Sequence, residues 1–124
     1  MDLRECQEVA DARATEASCL FTGNYCHGAI YLIGYSVEVL LKALLLKRYG
    51  NFPNIHDLIE LFQKNGINSH FYAQEKWENE FVNLRREVEM RYRANDFSNW
   101  HYDDVAQLYR AAGRLVKKLK GRLL

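Results

Sequence analysis

Backbone punctuation is nearly missing from this chain. One proline, Pro53, stands in 124 residues, and the seven glycines are scattered singly. Only helices run so far with so few breakers. The apolar residues follow a helical period from end to end. A first helix is predicted from about Leu3 to Thr22, with Val9, Ala12, Cys19 and Leu20 among its apolar positions. It stops at Gly23-Asn24, a C-terminal cap signal. A second is predicted from about Tyr25 to Tyr49, ended by Gly50. Ile30, Ile33, Val37, Leu40, Leu41, Leu44 and Leu45 make it the most apolar helix, and hence the central one.

The turn Asn51-Phe52-Pro53-Asn54 follows, with Asn54 expected to cap a third helix over Ile55 to Lys64 and Asp57 near its positive end. Leu58, Ile59, Leu61 and Phe62 are its core positions, and Gly66 ends it. A fourth helix is predicted over Ala73 to Tyr92, with Trp77, Phe81, Leu84 and Val88 inward and Arg85, Glu89 and Arg93 pairing along another face. After a loop from Ala94 to Trp100, a fifth runs from Tyr102 to the end with Val105, Leu108, Ala112, Leu115 and Leu119 inward. The fold class is all-α, an antiparallel up-and-down bundle of four to five helices in one domain over 1–124.

Composition agrees. With 48% hydrophobic and 27% charged residues the chain suits a packed core, and a domain of this size buries roughly two thirds of the surface its unfolded chain exposes. The net charge of +1 excludes strong nonspecific nucleic-acid binding driven by total charge. A local basic patch is still offered by Arg110, Arg114, Lys117, Lys118, Lys120 and Arg122, which have no acidic residue after Asp104. It reads first as a solvated face whose cations suit a helix C-terminus. Three cysteines, Cys6, Cys19 and Cys26, without a CxxC pair, indicate free thiols in a cytoplasmic protein. The charged start Met-Asp-Leu-Arg-Glu is unlike a signal sequence, and the apolar stretch Gly28 to Val37 is cut short by Glu38, so no membrane span is expected.

Residues able to carry chemistry fall in three places. Tyr31, Tyr35, Glu38 and Lys42 share one stripe of the second helix, with Gly34 beside them. A glutamate and a lysine there are costly unless paired or solvated. They read either as an i, i+4 ion pair at the edge of the buried face or as a polar strip lining a groove or subunit interface. Gly34 costs about 1 kcal/mol against alanine in mid-helix, which points to a close backbone approach. His56-Asp57 opens the third helix: Asp57 suits a cap, and His56 suits either that role or a phosphate. Glu89, Arg91, Tyr92 and Arg93, followed by Asp96, Trp100 and His101, are able to grip a phosphate and stack a base, or simply to decorate a helix end. Cys26-His27 is too short a pair for zinc, and no phosphate loop, GxGxxG or GxSxG occurs. No cofactor is expected.

The run Ala29-Ile30-Tyr31-Leu32-Ile33-Gly34-Tyr35-Ser36-Val37-Glu38-Val39-Leu40-Leu41-Lys42-Ala43-Leu44-Leu45-Leu46 is similar to the second helix of HEPN domains, a small/aromatic run followed by A/S-V-E and L-K-A-L-L. Leu20 to Tyr25 resembles the link between that family's first two helices, Ile55 to Leu61 its H-x-L-x-x-L element, and Glu89-Met90-Arg91-Tyr92-Arg93 its E-x-R-Y ending. The resemblance covers about residues 14 to 93. It implies a dimerising bundle with roles near nucleotides and RNA, as a ribonuclease of defence and toxin–antitoxin systems or as an inactive partner of a minimal nucleotidyltransferase. Ribonuclease members carry Arg, four to six residues, then His. Here seven residues separate both Arg48 from His56 and Arg93 from His101, and nine separate Arg91 from His101.

The leading expectation is therefore a noncatalytic homodimeric module that binds a nucleotide, RNA or a protein partner such as a nucleotidyltransferase. Its ligand-binding candidates are Tyr35, Glu38, Lys42, His56, Arg91, Tyr92, Arg93 and Trp100. The alternatives are a metal-independent ribonuclease using His101 as general acid/base and Arg93 on phosphate, and a purely structural helical subunit.

Overall fold

The first helix begins on a capping box. The Asp2 carboxylate accepts the Glu5 backbone N–H at 2.8 Å, and the Glu5 carboxylate accepts the Asp2 N–H at 3.0 Å. Two of the orphan donors of a helix start are thereby satisfied. This is α1, Leu3–Thr22. Its end is a short link in which Asn24 takes a left-handed conformation (φ 67°), so the chain reverses within three residues.

The structure is a computed structural model that describes residues 1–68, 71, 75–84 and 102–124. It has α1 together with α2 (Cys26–Tyr49), α3 (Leu58–Lys64), α4 (Lys76–Leu84) and α5 (Tyr102–Leu123). Among the described residues there is no strand.

The side of α1 that meets α2 is made of small residues. Cys6, Ala10 and Ala17 are fully buried, whereas Cys19, expected among the apolar positions, is exposed. Small side chains let the two backbones approach, and at the crossing Ser36 Oγ of α2 donates to the Ala10 carbonyl at 2.8 Å. Close approach also constrains Gly28, where a Cβ would meet Leu20 Cδ1 at 3.2 Å.

Helix α2 is the centre of the bundle, as its sequence predicts. Eight consecutive residues, Ser36 to Ala43, are buried. They span more than two turns, so the helix is covered all round its circumference by α1, α3 and α5. It ends at Gly50, in a left-handed conformation (φ 79°) whose N–H caps the Leu46 carbonyl. By length and mean hydropathy (1.8 over its best window) α2 is able to cross a bilayer, contrary to the expectation drawn from Gly28–Val37 alone. Glu38 and Lys42 interrupt the sequence but neutralise each other, and 72% of that window is buried within the bundle.

Helix α3 starts three residues later than expected. Asp57, not Asn54, is its cap, accepting the N–H groups of Ile59 (2.9 Å) and Glu60 (3.4 Å). The residues before it stay outside the helix, and His56 is turned back onto α2. Asn65 ties the far end of α3 to α2 by donating to the carbonyls of Leu61 (2.8 Å) and Leu41 (3.1 Å).

Phe81, Val82 and Glu78 are the buried face of α4; the remainder of the predicted fourth helix, 73–74 and 85–92, lies outside the described residues. Helix α5 buries Val105, Leu108, Ala112, Leu115 and Leu119 as its period requires. Its start stacks against the end of α1, with Phe21 on Tyr109 at 4.3 Å between ring centroids. Near its end, Lys120 pairs with Asp11 at 2.6 Å, and Lys47 of α2 donates to the Leu123 carbonyl at 2.9 Å. Helix α5 therefore runs antiparallel to α1 and parallel to α2.

Burial raises the Cys6 thiol pKa above its ordinary value, chiefly through loss of solvent, while the nearby N-terminal ammonium opposes the rise. The neutral thiol is the favoured form. Its contribution to stability is complete below the ordinary thiol value of 9.0 and is lost as the pH climbs through the raised one. In a thiol-labelling time course at pH 8, exposed Cys19 should react quickly and Cys6 only on unfolding. Equal labelling rates would contradict this placement.

Candidate functional site

The helical period puts Glu38 and Lys42 one turn apart on α2, and both are almost fully buried (2% and 4% exposed). This is deeper than the edge position the sequence suggested. Lys42 Nζ lies 3.2 Å from Glu38 Oε2. The segment between α2 and α3 brings His56 to the same oxygen, with Nδ1 2.9 Å from Glu38 Oε2 and 3.4 Å from Lys42 Nζ. An ionised carboxylate only accepts, so Nδ1 carries the proton in this bond. Nε2 is left on the far side of a ring that is about half exposed (48%). Lys42 is closed over from outside by Phe52, whose ring centroid is 5.4 Å from Nζ. Tyr35 packs half-buried against the core on the same stripe.

Removing a carboxylate from water costs several kcal/mol unless it is paired and hydrogen-bonded. Here the carboxylate has a cation from its own helix and an imidazole from the following segment. A half-exposed ring is thus fixed from beneath by a buried anion, an arrangement able to offer one oriented nitrogen to a ligand.

The HEPN domain model matches residues 3–122. This chain belongs to the HEPN domain family. No curated protein and no solved structure matches it. The cluster holds three of the residues on which the sequence resemblance to this family rests. Glu38 and Lys42 are the acidic and basic members of the α2 motif, and His56 opens the element that leads into α3.

Of the sequence candidates, the structure brings together Glu38, Lys42 and His56, with Tyr35 on the same stripe. Arg91, Tyr92, Arg93, Trp100 and His101 lie outside the described residues. Among the described residues no three of His, Cys, Asp or Glu are placed to hold a metal ion.

One ionic site escaped the sequence reading. Glu78 of α4 is fully buried and takes the Arg114 guanidinium of α5 at 2.5 Å. With Lys120 on Asp11, this corrects the picture of a basic tail facing no acid: two of its six cations are matched from other helices. The only sequence hint was an acidic residue three positions before Phe81 on an otherwise inward face.

Lys42→Met removes from buried Glu38 the cation of its own helix, which should destabilise the domain by roughly 3–5 kcal/mol in urea unfolding. The double variant Glu38→Leu/Lys42→Met should recover most of that loss, since the buried anion and its helical cation are then removed together. A double variant as unstable as the single one would show that packing, not charge, governs the site.

Proposed function

We propose that this HEPN domain is a noncatalytic, dimeric binding module. It takes a phosphate-bearing ligand, a nucleotide or an RNA segment, on the surface beside His56, and works in a toxin–antitoxin or defence pair with a minimal nucleotidyltransferase. The observation that carries the reading is the half-exposed His56 ring held by the buried Glu38–Lys42 pair. An oriented imidazole is a good phosphate donor when protonated. Catalysis asks for more. A base and a phosphate-holding cation must be fixed around one phosphorus, and small misplacements cost orders of magnitude in rate. Seven residues separate Arg93 from His101, against the four to six of ribonuclease members.

A protein partner is a second reading, supported by an apolar hollow of about 360 Å³ lined by Leu45, Tyr49, Pro53 and Ile55. Tyr49 (60% exposed) stands open there, and Phe52 (37%) is exposed beside Pro53 in the chain. Because α2 is largely covered within one chain, this rim, rather than α2 itself, is the apolar surface on which the second copy is proposed to dock.

Two measurements test the proposal. Purified protein without added metal should leave RNA intact, while calorimetry should detect nucleotide binding that weakens about tenfold in His56→Ala. Cleavage abolished by His101→Ala would overturn the noncatalytic reading. Sedimentation equilibrium at micromolar concentration should give a dimer; a monomer alone would contradict that part.

A further inference from the structure

A groove of about 600 Å³ opens where the C-terminal ends of α2 and α5 meet the turn after α3. Lys47 and Arg48 of α2 and Arg122 of α5 line it together with Asn65 and Gly66, and none of the described residues that line it is acidic. Among the described residues, the partners of these three cations are all neutral. Lys47 donates to the Leu123 carbonyl at 2.9 Å. Arg48 reaches the Asn65 carbonyl at a long 3.4 Å. Arg122 lies over the Phe71 ring at 4.8 Å, and Lys118 approaches the same ring at 5.5 Å.

Cations in a last helical turn often do no more than complement the helix dipole and cap its carbonyls. That accounts for Lys47, which caps α5. It does not account for Arg48 and Arg122, which together make one weak carbonyl contact and two ring contacts, Arg48 on Tyr49 at 5.7 Å and Arg122 on Phe71, none of them with a counter-charge. The contrast within α5 is informative: Arg114 and Lys120 each meet a carboxylate, whereas the cations nearest this groove do not. Like charges gathered without counter-charge repel, and a concave wall of one sign focuses its field on an incoming anion. Guanidinium forks match phosphate oxygens in pairs, and the volume falls in the range of small-ligand sites.

We infer that this groove is a second ligand site, for closely spaced phosphates: a nucleoside polyphosphate or a stretch of RNA backbone. It is separate from the Glu38–Lys42–His56 cluster, for Arg48 lies ten residues, about 15 Å, further along α2 than Glu38 and on another face.

The test measures binding of sodium triphosphate, ATP and a fluorescein-labelled uridine dodecamer to the whole chain. Arg48→Gln/Arg122→Gln is compared with Arg110→Gln/Lys117→Gln, which removes the same charge from exposed positions outside the groove. The groove pair should weaken binding about tenfold or more and the control pair less than about twofold. In the wild type, triphosphate should shield Lys47 from acetylation, a readout that needs no variant to fold. Competition by ATP would identify a nucleotide site, and binding of the dodecamer alone an RNA track; either supports the inference. Equal losses in both pairs, no binding of any probe, unshielded Lys47, or tighter binding of polyglutamate than of triphosphate would overturn it. Binding lost in His56→Ala but kept in the groove pair would also overturn it, while leaving the reading of the His56 cluster in place.

Discussion

Glu38 sits in the most enclosed stretch of the central helix, where an anion without partners would cost more than a domain of this size can spare. Much of the local architecture follows from that requirement. Lys42 answers it from the same helix, and His56 answers it from the connecting segment. With His56 held on Glu38, the chain after Pro53 stays out of the helix until Leu58, and the cap falls to Asp57. Phe52 then lies against Lys42 from outside. One buried carboxylate thus fixes the path of a whole connection and orients a half-exposed imidazole on the surface.

The α1–α2 packing works by a different principle. Cys6, Ala10 and Ala17 present little bulk, so α2 approaches closely enough for Ser36 to bond the Ala10 carbonyl. Such a seam relies on close van der Waals contact more than on large side chains. The larger apolar residues are used elsewhere, where Phe62, Phe81, Leu108 and Leu115 fill the space between α2 and the helices that follow.

Charge in α5 is divided by what each cation meets. Arg114 and Lys120 are matched by Glu78 and Asp11, which ties α5 to α4 and to α1. Arg122 and Lys118 meet only the Phe71 ring, and Arg122 joins Lys47 and Arg48 at the groove. A nearly neutral chain can therefore carry a concentrated positive surface, because net charge says nothing about where the counter-charges sit.

What lies within a single helix was legible in the sequence. The spacing of Ile30, Ile33, Val37, Leu40 and Leu41 made α2 the core helix, Gly50 marked its end, and the i, i+4 relation of Glu38 and Lys42 follows from the 3.6-residue period alone. What joins one helix to another was not. The turn of His56 onto Glu38, the burial of Glu78 under Arg114, the exposure of Cys19 and the meeting of Lys47, Arg48 and Arg122 all depend on how the helices are rotated and offset against one another. A local period fixes which side chains share a face. Only the packing of the whole bundle decides which faces meet, and so which charges find partners and which are left to a ligand.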